Sequence, residues 1–553
     1  MVQGVVWAGR PRSAAMALCL SVGAAPFIIV GPAAAAAAPP TPVRGAQAAG
    51  TTWGDMKFDM AARDEFTGRY DPAKDPGSLY TVTKSIGARD TWKQKDALGR
   101  AVTGQGVTVA VLDSGVAAVP GLDGPGKIVR GPDLSLEVNG TTAMEPDTFG
   151  HGTHMASIIG GSDPVRRNTK TGEPKPDSPT QALGVAPDAQ LLALKLATTD
   201  GSTDVSQVIA ALDWVVAHKN DNGMNVRVVN LSFGTGSVQP YQLDPLATAA
   251  ENAWRHGLVV VVSGGNNGSD GHGLTNPAID PYVLAVGASD PQSKVSGWKR
   301  PIVADFSARG NQVRAVDLIA PGRSIVGFRA PGSFIDVQHP EGRVVGDSAG
   351  RLFRGSGTSQ AAAVVSGAVA LLLQAHPDLT PDAVKAALLS TADGNDRLTP
   401  LAAGAGALDL PDALDAVRRA KDTGDSSHAL LAARQSWPVG TGTGTLEGAR
   451  GGSNLVDPET GEALTGEIDV QGVPWDAQAW SAASATATGW KDGWWMRARW
   501  SGDTWTSTGW SRARWSGDGW SRARWSDAGW ERARWSRARW SGDGWGSSSG
   551  KDD

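Results

Sequence analysis

Gln105-Gly106-Val107-Thr108-Val109-Ala110-Val111-Leu112-Asp113-Ser114-Gly115 decides how this chain folds. From Val107 to Leu112 no charge interrupts a run rich in β-branched residues, with glycine before it and a turn sequence after it. A short run of this kind reads as a strand buried on both faces, which is the habit of parallel sheets covered by helices. The carboxylate of Asp113 then stands directly after the strand. Open α/β sheets gather their functional groups there, outside the carboxyl ends of the strands. Taken alone, Asp-Ser-Gly is also an ordinary turn.

Downstream, the pattern alternates. Ala189 to Leu196 reads as a strand, Asp204 to His218 as a helix, and Val226 to Leu231 as a strand. Asp244 to His256 then reads as a helix, with strands at Leu258 to Val262 and Tyr282 to Val286. Strands alternating with helices of this length predict an α/β protein: a doubly wound, mostly parallel sheet with helices on both faces. Right-handed crossovers bring the strand ends to one edge.

Four further stretches fall on such boundaries. Gly150-His151-Gly152-Thr153-His154-Met155 opens a helix behind a glycine-flanked histidine. His151 and His154 are spaced i, i+3, but no glutamate accompanies them in the HExxH manner, so zinc is not expected. Ser232-Phe233-Gly234 and Ser263-Gly264-Gly265-Asn266-Asn267-Gly268 follow two of the strands. Their glycines let a peptide backbone approach closely, and an asparagine amide there is placed to donate into a cleft. Finally, Gly355-Ser356-Gly357-Thr358-Ser359-Gln360 leads into an apolar run reaching Gln374. This predicts Ser359 in the first turn of a buried helix, where unpaired N–H groups and the helix dipole favour negative charge. A serine there suits attack on a carbonyl, because preorganised donors meet the oxyanion it creates.

In chain order the candidates are Asp113, His151, Asn266 and Ser359. Acid before imidazole before alcohol is one of the three known orders of the hydrolytic triad. These stretches, with Val228-Val229-Asn230-Leu231-Ser232-Phe233-Gly234, resemble the subtilisin-like (subtilase) serine peptidases over roughly residues 79 to 415. The resemblance implies Ser359 as nucleophile, His151 as general base and Asp113 as the carboxylate that orients it. It implies Asn266 as oxyanion donor, and Ser232, Phe233, Gly234, Ser263, Gly264 and Gly265 as flanks of a substrate pocket. It implies protein or peptide substrates, no required cofactor, and structural calcium with no ligand assigned. Two departures stand out. Gln360 occupies the place where the family often has methionine, and Ala363-Val364-Val365-Ser366-Gly367 replaces Pro-His-Val-Ala-Gly.

The rest of the 553 residues carries less chemistry. Residues 1–38 read as a signal peptide: Arg10 and Arg12, then an apolar stretch and an alanine run. A secreted or cell-surface protein, monomeric, is therefore expected. Cys19, the only cysteine, falls inside that signal, so no intramolecular disulfide is expected in the mature chain. Residues 39–78 read as a linker or short pro-segment, 79–415 as the peptidase domain and 416–474 as a second linker. Residues 475–553 form a low-complexity tail in which fifteen of the 22 tryptophans fall. From Trp490 to Trp545 one recurs at every fifth position, in units such as Trp-Ser-Arg-Ala-Arg. From 490 on, ten Arg and two Lys stand against seven Asp and one Glu, a net of +4 in a chain whose formal charge is −5. A step of five builds no single helical or strand face. The tail reads as unstructured, as a surface-binding segment for cell-wall glycan or an acidic polymer, or as a compact β-solenoid, with no nucleic acid expected. The alternative function for the whole chain is a catalytically silent scaffold that works through this tail.

Overall fold

The computed structural model describes residues 69–501 apart from 136–146, 165–177, 270–272, 292–300, 312, 396, 424–427, 457–462, 492–493 and 497, together with 514–515. The expected signal peptide, residues 39–68 and most of the repeat tail lie outside the described residues.

Two short helices, α1 (Leu79–Ser85) and α2 (Ala88–Thr91), precede the sheet. Strands β1 (Thr108–Asp113), β2 (Ile128–Asp133), β3 (Gln190–Lys195), β4 (Val226–Leu231), β5 (Val259–Ser263) and β6 (Leu284–Asp290) lie in the order β2-β3-β1-β4-β5-β6, all parallel. Two-residue β7 (Ile302–Val303) joins β6 antiparallel, and β8 (Leu318–Pro321) joins it parallel. The first strand lies inside the sheet, and the chain winds to either side of it. Its carboxyl end is therefore a switch point where a cleft opens. In register, Asp113 stands opposite Lys195 on one neighbour and Leu112 opposite Leu231 on the other. Val109 to Asp113 are all at zero exposure, as the uncharged run requires.

Helices α3 (His151–Gly160), α4 (Val205–His218) and α5 (Pro245–Arg255) are the crossovers. Capping fixes their starts. Asp204 caps α4 in a reciprocal box with Gln207, and Asp244 caps α5 ahead of Pro245 at the first helical position. Strands β9 (Ile325–Phe328) and β10 (Leu352–Gly355) pair antiparallel around the short α6 (Phe334–Gln338). The chain then enters α7 (Thr358–Ala375), buried from Thr358 to Gln374. Its composition and length would suit a membrane span, but it runs through the interior against β4, β5, β6, β8 and α3. Helices α3 and α7 touch one another, as do α4 and α5. Helices α8 (Pro381–Thr391), α9 (Pro400–Ala403) and α10 (Leu410–Thr423) follow.

Outside the span 79–415 the chain stays attached to this body. Before it, Asp75 pairs with Arg354 at 2.6 Å and receives Tyr70 Oη at 3.0 Å, both well covered. After it, α10 continues to Thr423, and α11 (His428–Leu431), α12 (Leu446–Arg450) and α13 (Ala477–Ala485) follow. The described residues between 433 and 495 form a strap across α4 and α5. Arg450 is fully buried against Asp204, the cap of α4, at 2.7 Å, and gives its other donors to Gly466 O and Ile468 O. Trp480 and Trp495 both donate their indole N–H to Asp213 Oδ2 at 2.9 Å, Ser484 Oγ donates to Oδ1 at 2.7 Å, and Trp490 donates to Ala210 O at 2.8 Å. Described residues within the expected linker over 416–474, and within the expected tail from 475 to 495, thus pack against the body. Their glycine, proline and threonine content limits regular structure, not contact. From Trp490 on, β11 (Trp490–Lys491), β12 (Trp494–Trp495), β13 (Ala498–Ser501) and β14 (Arg514–Trp515) pair antiparallel in that order.

Candidate active site

At the end of β1, Ser114 N donates to Asp113 Oδ1 at 2.7 Å and sets the plane of that carboxylate. His151 opens α3 and turns Nδ1 onto the same carboxylate, 2.8 Å from Oδ1 and 2.9 Å from Oδ2. Both residues are buried, Asp113 at 0% and His151 at 1% exposure. A carboxylate on Nδ1 fixes the tautomer that leaves Nε2 as the acceptor. Glycines make the approach possible. Gly150 lies at φ 104°, and a methyl on Gly152 would sit 2.0 Å from Gly115 O.

Ser359 is the second residue of α7, 8% exposed, with Oγ 3.5 Å from Ser232 O. The helix cap, Gly357, carries no side chain, so the first turn has no side-chain cap of its own. Asn266 serves instead: its Oδ1 accepts from Thr358 N at 2.9 Å and from Thr358 Oγ1 at 3.1 Å. These two bonds settle which end of the amide is oxygen. Nδ2 is the other end, and a methyl on Gly357 would be 3.4 Å from it. Asn266 and Ser359 are therefore joined through one helix terminus, where unpaired donors and the helix dipole favour negative charge.

The two candidate pocket segments also converge. Ser232 Oγ lies 3.4 Å from Ser359 O. Phe233 is at zero exposure, its ring in the core, so a substrate would meet only its backbone. Ser263, Gly264 and Gly265 are buried at the end of β5. Thr275, which the sequence reading passed over, lies between the segments. A methyl on Gly234 would be 2.5 Å from Thr275 Oγ1, and one on Gly265 would be 2.9 Å from its Cγ2. Thr275 Oγ1 is buried with no hydrogen-bond partner among the described residues. Only its position beside Asn276-Pro277-Ala278 could have marked it in the sequence.

His154, one turn beyond His151, does not share a ligand with it. Its Nε2 lies 3.2 Å from Phe353 O, and burial lowers its pKa to about 4. Among the described residues no group of three or more His, Cys, Asp or Glu side chains is placed to hold a metal ion.

The sequence also resembles those of known proteins. A sequence model of the subtilase family matches residues 104–408. Serine protease AprX of Bacillus subtilis is 35% identical over 338 residues, 60% of this chain and 70% of that protein. Subtilisin E of Bacillus subtilis is 32% identical over 299 residues, 52% of this chain and 61% of that protein. Subtilisin Savinase of Lederbergia lenta is 30% identical over 296 residues, 54% of this chain and 87% of that protein. The chain belongs to the subtilase family of serine endopeptidases.

Proposed function

We propose that the chain cleaves peptide bonds through Ser359, His151 and Asp113. His151 takes the proton of the Ser359 hydroxyl as it attacks the carbonyl, then returns it to the leaving amine. Asp113 holds the imidazole tautomer and stabilises the imidazolium. The acyl-enzyme is released by water through the same steps. Asn266 Nδ2 and the backbone N–H of Ser359 receive the oxyanion, and Ser232–Gly234 and Ser263–Gly265 flank the residue before the scissile bond. The observation that carries the reading is the Asp113–His151 pair, buried at 2.8 and 2.9 Å on the switch-point strand.

Secretion is part of the proposal and rests on the signal-like residues 1–38. Contact with cell-wall glycan or an acidic polymer is proposed for the Trp and Arg units of 475–553. Trp480, Trp490 and Trp495 already face the body, so that contact falls to the units after Ser501. An active-site fluorophosphonate is the test. The purified chain is expected to be labelled, Ser359→Ala is not, and a peptide amide is expected to be hydrolysed as well as a simple ester. A wild-type chain that takes no label would end the proposal.

A further inference from the structure

A polar cluster that takes no part in the chemistry above joins the end of β1 to the start of α3. Its centre is Asp147, 7% exposed. Asp147 Oδ1 accepts from Gly150 N at 2.7 Å and from Ser114 Oγ at 2.8 Å. Its Oδ2 accepts from Thr153 N at 2.8 Å and from the Thr153 hydroxyl. Ser114 Oγ also accepts from Gly152 N at 2.9 Å, and Thr153 Oγ1 from Ala117 N at 2.9 Å. The amides on either side of His151 are thus both held by this cluster. From the next strand, Lys195 Nζ donates to Ser114 O at 3.1 Å and to Thr148 Oγ1 at 2.9 Å, tying the same two segments a second time.

We propose that Asp147 is a positioning residue: through Ser114 and Thr153 it pins the first turn of α3 to the end of β1, so that the imidazole reaches Asp113 in one orientation. This rests on the reading of His151 as the base. The arrangement does more than a helix cap requires. Gly150, the cap residue, has no side chain to offer, and an exposed serine or aspartate at that place would satisfy the orphan amides for about 1 kcal/mol. Here an acid and a lysine are both taken out of water to do it, which is costly unless the geometry itself is wanted. Burial pushes the Asp147 carboxyl up, opposed by the donated bonds and by Lys195. A base must be held to within a fraction of an ångström, since a misplacement near 1 Å costs on the order of a hundredfold in rate.

The test compares wild type, Asp147→Ala, Asp147→Asn and Thr153→Val by kcat, KM, fluorophosphonate labelling rate and thermal melting. Asp147→Ala is expected to lower kcat and labelling on the order of a hundredfold with KM within about twofold. Asp147→Asn, which keeps an acceptor, recovers part of that loss, and Thr153→Val loses about tenfold. A loss confined to kcat and recovered in part by Asp147→Asn is what a purely structural cap would not give. If Asp147→Ala keeps wild-type kcat, the proposal falls. Should that variant not fold, the same result for Thr153→Val overturns it. A wild type that is not labelled at Ser359 would instead bring down the parent reading.

Discussion

Two buried carboxylates organise two regions of this molecule, and each takes its bonds from aromatic rings. Asp113, at the end of β1, meets one imidazole. Asp213, in the middle of α4, meets two indoles and a hydroxyl. The bonds are alike in length, yet the partners differ in one respect: an imidazole can take a second proton near neutral pH and an indole cannot. The acid facing the imidazole can stabilise a charge that comes and goes. The acid facing the indoles can only hold them, and what it holds is the strap over α4 and α5. The same N–H to carboxylate contact therefore serves the proposed chemistry at the carboxyl end of β1 and attachment on the helix face.

The contrast breaks most sharply by substitution. Asp113→Asn should keep the fold but favour the wrong tautomer of His151, lowering kcat by about ten-thousandfold, read in steady-state hydrolysis of a peptide amide. Asp213→Ala should do the reverse. It leaves Trp480 Nε1, Trp495 Nε1 and Ser484 Oγ buried without their acceptor, a loss on the order of 3 kcal/mol or more. The melting temperature should fall and the strap should become protease-sensitive, while kcat per folded molecule stays as in wild type. Equal loss of kcat in the two variants would show that the strap supports the chemistry and that the division between the regions is wrong.

The sheet and its helices were legible in the sequence, and the strap was not. The largely apolar runs place β4 at Val226–Leu231 as read, β3 one residue inside Ala189 to Leu196 at each end, and α4 within one residue of Asp204 to His218. Buried parallel strands and capped helices leave strong local patterns. Strand β2 contains Gly131 and Pro132 and lies at the sheet edge, so it carries no such pattern. The strap depends on partners far away in sequence, such as Arg450 and Asp204, separated by 246 residues. One signal did exist. Val205-Ser206-Gln207-Val208-Ile209-Ala210-Ala211-Leu212-Asp213-Trp214-Val215-Val216 is apolar nearly all round, and a helix like that needs cover on its outer side as well. Thr275 was missed because a pocket floor has no motif of its own.

Acidity separates the regions a second way, with opposite signs. Burial, with His151 nearby, lowers His154 from 6.5 to about 4. Between those values the unfolded chain takes up a proton that the folded core refuses. Core stability is thus full above 6.5 and falls as pH drops toward 4, by on the order of 3 kcal/mol. In the strap, burial raises Asp469 from 3.8 to about 7, with Asp204 adding to the rise and Arg450 opposing it. The folded strap keeps a proton that the unfolded chain gives up, so its attachment weakens as pH rises from about 4 to about 7, by a similar amount. Hydrogen exchange should show strap amides less protected at pH 7.5 than at pH 5, while global melting falls on the acid side, and Asp469→Asn should flatten only the first trend. Strap protection that rises with pH would refute the assignment.

The smallest effect concerns a residue that touches the catalytic side only. Gln360, directly after Ser359, is fully buried, and neither atom of its amide has a hydrogen-bond partner among the described residues. Its Oε1 lies where a methyl on Gly357 would come within 2.7 Å. An orphaned buried amide costs stability, and methionine fills nearly the same volume without it. Gln360→Met should therefore raise the melting temperature by a few degrees, about 1 kcal/mol. The same change puts an oxidisable thioether beside Ser359, so dilute peroxide should inactivate the variant and spare the wild type. A lower melting temperature would mean instead that the amide is satisfied by buried water, and that the wall behind the serine is hydrated.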